Sequence, residues 1–129
     1  MPHDAVRWKD DEYCGGKEYQ DKVSLDRAAA FQEILAQNPD DAFARYGLAM
    51  EHRQKGENDL ALEQFDELEK RQPDYTAGYQ MAAQLLMAAG KLEEAKQRLQ
   101  KGTESARRTR NQHALAEMEE MLEEIQERM

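Results

Sequence analysis

One set of residues recurs in this chain at an offset of 34. Pro39, Asp40, Ala49, Gly56 and Ala61 return as Pro73, Asp74, Ala83, Gly90 and Ala95. Phe31 precedes Pro39 by the same separation that puts Phe65 before Pro73. A fixed period of this length marks stacked helix-turn-helix units, none of which can bury its apolar face alone. The chain is therefore expected to be all-α, a short superhelix of antiparallel helix pairs.

The local pattern agrees with that period. Leu25, Ala28, Ala29, Phe31, Ile34 and Leu35 fall on one side of a helix from about Ser24 that ends before Pro39. Asn38-Pro39-Asp40-Asp41 reads as a helix start, with Asn able to cap, Pro suited to the first turn and two acids favouring the positive end of the dipole. The next helix runs to about Lys55 and stops at Gly56, which tolerates a left-handed backbone. Asn58 or Asp59 then caps a helix carrying Leu60, Ala61, Leu62, Phe65 and Leu68. Gln72-Pro73-Asp74 repeats the start signal, Gly90 breaks the following helix, and Leu92 opens another with Ala95 and Leu99. Arg107 stands where a second proline stop is due, so this helix is expected to overrun to about Arg108. Asn111 caps a last helix whose stripe is Leu115, Met118, Leu122, Ile125 and Met129.

Residues 1–23 read as an irregular arm or degenerate half-repeat. Trp8, Tyr13 and Tyr19 are apolar enough to dock, but Gly15 and Gly16 weaken a helix through them by about 1 kcal/mol each. The domain proper is expected over 24–110, as a half-repeat helix at 24–38 and repeats at 39–72 and 73–108. Residues 111–129 form a closing amphipathic helix.

The first copy supplies Arg45, Leu48, Ala49 and His52, then Ala61 and Phe65, then Pro73. The second supplies Tyr79, Ala82, Ala83 and Leu86, then Ala95 and Leu99. This pattern resembles the tetratricopeptide repeat, and in size the chain is similar to small bacterial members of that family. The Ala-x3-aromatic and Pro portion is well kept. The first-helix portion departs from it, with Arg45 and His52 where aromatics are usual. The small residues Ala49, Ala83, Ala61 and Ala95 mark close helix contacts, and Phe65 should plug the gap between repeats.

The resemblance also implies a binding face, because members that bind peptides do so on the surface lined by the first helix of each pair. Carried onto this sequence, that face presents Phe43, Tyr46, Met50, Arg53 and Gln54, then Ala77, Gln80, Gln84 and Met87. Its aromatic, thioether and amide groups suit an apolar or amphipathic segment, unless the Trp8 arm or the terminal helix covers it. Members that grip chaperone tails hold the terminal carboxylate in a clamp of Lys, Asn and Arg. Here Tyr46, Met50, Gln80 and Gln84 stand in that region with only Arg53 positive, and the clamp is absent.

Composition removes several alternatives. With a net charge of −9 and 35% charged residues, the chain is not drawn to nucleic acid or to an anionic membrane. Its longest apolar run, Leu85 to Ala89, is far short of the roughly 20 residues a membrane span needs. The amino end has no apolar segment of the secretory kind, and Cys14 has no second cysteine to pair with, so a cytoplasmic location is the expectation. The basic cluster Lys96, Arg98, Lys101, Arg107, Arg108 and Arg110 reads first as local partners for helix ends and glutamates, with an acidic protein partner as the alternative. His3, His52 and His113 are scattered, with no metal-ligand spacing, and no triad or phosphate loop is present, so neither metal nor cofactor is expected.

The expectation is a noncatalytic protein-interaction module whose partner is a protein or peptide. The alternative is a structural protein that homo-oligomerises through Leu115, Met118, Leu122 and Ile125. Either monomer or weak homodimer fits, since that stripe can equally cap the stack.

Overall fold

A computed structural model describes residues 16–129, with side chains from Arg27 onward. Among these residues there are six helices and no strand: α1 (Gly16–Gln37), α2 (Ala42–Gln54), α3 (Asn58–Arg71), α4 (Thr76–Ala88), α5 (Leu92–Arg108) and α6 (Gln112–Arg128). Each helix packs on the next, and α4 also meets α6 directly. None is long and apolar enough to cross a membrane.

The helix expected from Ser24 begins earlier, at Gly16. Glycine's penalty applies to helix interiors, and Gly16 stands at the first helical position instead. Trp8 and Tyr13, on which the expected arm was partly built, lie outside the described residues, as does Cys14.

Three of the turns share one hydrogen-bonded motif. The N–H groups of Glu57, Lys91 and Asn111 donate to the carbonyls of His52, Leu86 and Ala106, five residues back. Just before them, Gly56, Gly90 and Arg110 donate to Arg53, Met87 and Arg107. This is the Schellman closure, which needs a left-handed residue at its centre. Gly56 and Gly90 supply it at φ 79° and 77°, and Arg110 adopts it at φ 57° without being glycine.

The proline turns work differently from the sequence expectation. Asp41, not Asn38, caps α2 by accepting from the Ala44 N–H at 2.9 Å, while Asn38 accepts from Asp40 within the turn. Pro39 thus precedes the helix, and its carbonyl accepts from Arg45 Nη2 at 2.9 Å. One repeat later the Pro73 carbonyl accepts from Tyr79 Oη at 2.8 Å. Arg45 and Tyr79 occupy equivalent positions, so arginine performs the aromatic's hydrogen-bonding task. At α3 and α4 the capping residues Glu57 and Tyr75 make no side-chain cap bond, whereas Asn111 caps α6 through Ala114 N–H.

The core lies where the pairs stack. Ala49, Ala61, Phe65, Leu68, Ala82 and Leu85 form one buried cluster. Ala83, Leu86, Met87, Ala95, Leu99, Ala106, Ala114, Met118 and Ile125 form the second. Ala49, Ala61, Ala83 and Ala95 are fully enclosed, and Phe65 and Leu99 fill equivalent positions between pairs. Gly47 sets the α1–α2 approach, because a Cβ there would come within 2.5 Å of the Phe31 ring.

Three of the six residues of the basic cluster have ion-pair partners among the described residues. Arg98 bridges Asp66 and Glu69 from α5 to α3, Arg108 pairs with Asp74 at 2.8 Å, and Arg107 lies 3.7 Å from Glu119. Burial pushes the Glu69 carboxyl up to about 7, with Lys101 pulling it back. The Arg98 guanidinium in contact with it also favours the carboxylate.

Candidate functional site

The first helices of successive pairs, α2, α4 and α6, are joined side chain to side chain along one face. Arg53 on α2 donates through Nη1 to Met81 Sδ and through Nη2 to Gln84 Oε1 on α4, each at 3.1 Å. Gln80 on α4 donates to Glu117 Oε2 on α6 at 2.7 Å. His113 closes on the other Glu117 oxygen at 2.6 Å. These bridges put the three helices edge to edge and define the face between them.

Apolar groups fill the spaces between the bridges. Tyr46 meets Phe65 edge-on at a centroid distance of 6.2 Å and Tyr75 at 5.4 Å. Burial raises the Tyr46 hydroxyl above its ordinary range, with Arg53 pulling it down. Met50, Met81, Gln80 and Gln84 are half-buried, and Gln54 and Ala77 are exposed. Farther along, Gln84, Met87, Ala88, Met121, Glu124 and Arg128 line a cleft of about 380 Å³.

Two of the expected face residues stand apart from this arrangement. Phe43 lies at its rim, 69% exposed, and packs edge-on to Phe31 of α1 at 6.3 Å. Met87, expected on the open face, is only 7% exposed and belongs to the second core cluster. α6 explains this, because it docks on α4 and α5 and covers most of the Met87 side chain. The stripe considered for oligomerisation is turned inward in the same way. Met118 and Ile125 are fully buried, and Leu115 and Leu122 pack half-buried against them. His52, at a repeat position where an aromatic is usual, sits 3.1 Å from Glu57 Oε1 at the α2–α3 turn.

A family model of the tetratricopeptide repeat matches residues 52–118, just over half of the chain. The chain belongs to the tetratricopeptide repeat family. A TPR repeat-containing protein of Pseudomonas aeruginosa, PA0015, is 28% identical over 94 residues, which cover 73% of this chain and 90% of that protein. The solution structure of a tetratricopeptide repeat domain protein from Salinibacter ruber is 31% identical, covering 68% of this chain and 89% of that one, with a TM-score of 0.65. The Yersinia enterocolitica type III secretion chaperone SycD, solved in complex with a peptide of the translocator YopD, shares the fold. It has a TM-score of 0.75 at 21% identity, with 95% of each chain covered.

Membership of the tetratricopeptide family accounts for the role of α6. The repeat places a first helix after every second one, so α6 takes the first-helix position of a third unit. The sequence reading, which treated it as a cap or an oligomerisation stripe, therefore missed Glu117, Met121, Glu124 and Arg128. It also missed Tyr75 and Met81. A 34-residue step from the α4 residues does not reach the right ones, because α5 has 17 residues against 14 in α3. Gln80 and Glu117 accordingly meet at a separation of 37. Asn111, a clear cap signal, was the marker from which the shifted register could have been counted.

Proposed function

We propose that this chain is a noncatalytic protein-interaction module that receives an apolar or amphipathic segment of another protein along the shared face of α2, α4 and α6. The observation that carries the reading is the row of half-buried Tyr46, Met50, Met81, Gln84 and Met121 across three adjoining first helices. Such a face offers adaptable apolar contact with amide groups to satisfy a partner's backbone. The structural kinship with SycD, whose solved complex contains a YopD peptide, supports the same mode of use.

The test is affinity capture from the cell extract of the source organism, comparing the native chain with Tyr46→Glu/Met50→Glu and, separately, Met121→Glu. Tyr46 rests on Phe65 and Met121 packs against the second core cluster, so the urea midpoint of each variant is measured alongside capture to separate lost binding from lost folding. Both variants should lose the same partner while keeping helical circular dichroism. Undiminished capture by both would count against the groove.

Homo-oligomerisation through the α6 stripe gains no support from the packing, since Met118 and Ile125 are already enclosed within one molecule.

A further inference from the structure

We infer that the segment received by this groove is an amphipathic helix that is basic on its polar side, its cations seated against α6; this rests on the interaction reading above. The groove is asymmetric in charge. On the α2 side, Tyr46, Met50 and Tyr75 are apolar or neutral, and the Arg53 guanidinium is held by Met81 Sδ and Gln84 Oε1. The α4 floor, Thr76 to Ala88, contains no charged residue.

α6 is different. It carries Glu117, Glu119, Glu120, Glu123, Glu124 and Glu127 against a single arginine, Arg128. Among the described residues only Glu117 and Glu119 have an ionic partner, His113 and Arg107. Glu117 and Glu124 lie two turns apart on the side of α6 that meets α4, with Met121 between them. Glu117 already has Gln80 and His113 on its two oxygens, but an occupant that covered Glu124 without supplying a cation would strip water from it uncompensated. A segment with apolar residues toward Tyr46, Met50 and Met81 and Lys or Arg toward Glu117 and Glu124 satisfies both sides at once. The net charge of −9 steers such a segment in.

The experiment uses three synthetic helical peptides of about five turns. They share one apolar face of Leu and Met and differ only in having Lys, Gln or Glu on the polar side. Each is titrated by fluorescence anisotropy against the full chain, against Glu117→Gln/Glu124→Gln, and against Glu123→Gln/Glu127→Gln, which removes the same charge from the outer side of α6. The Lys peptide should bind about tenfold tighter than the Gln peptide at low salt, and the Glu peptide weakest. That advantage should fall severalfold in the first variant, persist in the second, and shrink as salt is raised. Equal binding of the Lys and Gln peptides would overturn the basic preference while leaving the groove standing. An advantage lost equally in both variants would overturn the seating on Glu117 and Glu124. Binding by none of the three would remove the groove reading as well.

Discussion

Arg110 holds, at φ 57°, the left-handed backbone that glycine holds at the two earlier turns. For a residue with a Cβ that conformation costs about 1–2 kcal/mol, part of which glycine would return through its freer unfolded chain. Arg110→Gly is therefore expected to stabilise the protein by about 0.5–1 kcal/mol, seen as a higher urea midpoint with an unchanged slope. A lower midpoint would mean that the arginine side chain makes a contact outweighing its backbone. Tyr79→Phe acts in the opposite direction. It leaves the ring in place but removes the 2.8 Å donor to the Pro73 carbonyl, which keeps only the longer 3.3 Å bond from Arg108 Nη2, for an expected loss of about 1 kcal/mol by the same assay. At this scale the sequence misleads where chemistry, not residue type, is conserved between repeats. Arg45 looks like a defect beside Tyr79, yet both are long side chains ending in a donor that reaches the same proline carbonyl.

At the scale of the helix, what could be read in advance was whatever leaves a residue-specific mark. Gly56 and Gly90 show the bends because only a few residues accept their backbone, and the fully buried alanines show the close contacts because nothing larger fits. The extra turn of α5 was marked by Arg107 in place of a proline, but the register shift it imposes was not carried into α6, so the inner face of α6 stayed hidden and Met87 was assigned to an open surface. The clasp of α5 on α3 was equally invisible, since Arg98, Asp66 and Glu69 read as ordinary surface charges. Its consequence is testable. Burial already holds the half-buried Glu69 carboxyl up at about 7 in the native chain, and in Arg98→Leu it keeps only Lys101 as a favourable cation, which moves it further up. A group raised in the folded state stabilises while it is protonated, fully below about 4.5, and that contribution is lost as pH rises through about 7. The native urea midpoint should thus fall between pH 5 and pH 8, and the variant's should drop further below it as pH rises past about 7, because Arg98 no longer favours the carboxylate. Parallel curves across that range would show that Arg98 does not govern the carboxyl. Leu122→Glu probes the neighbouring helix. It places a charge where Leu122 packs on the core, so the expectation is destabilisation of about 2 kcal/mol with no change in mass by light scattering. Dissociation of a dimer would instead restore the oligomer reading.

Across the whole molecule, stability in a stack of this kind is the sum of neighbouring interfaces, so its ends and middle need not open together. α4 is central, with eight buried residues and contacts to α3, α5 and α6. α1 has α2 as its main neighbour, and among its described side chains only Ala28 is buried, while Ile34 is 42% exposed. α6, though terminal, is anchored by Met118 and Ile125, each worth about 1.5–3 kcal/mol of burial. The two ends should therefore behave differently. Native-state hydrogen exchange should find the slowest amides in α4 and the adjoining part of α5, intermediate protection in α6, and the fastest exchange in α1. The gradient has a functional meaning, because the proposed groove spans α2, α4 and α6 and would remain assembled while α1 opens and closes. Bound peptide should then raise protection in α2 and α6 far more than in α1. If α1 instead exchanges as slowly as α4, the stack opens as one unit, and the independence of the groove from its first helix fails with it.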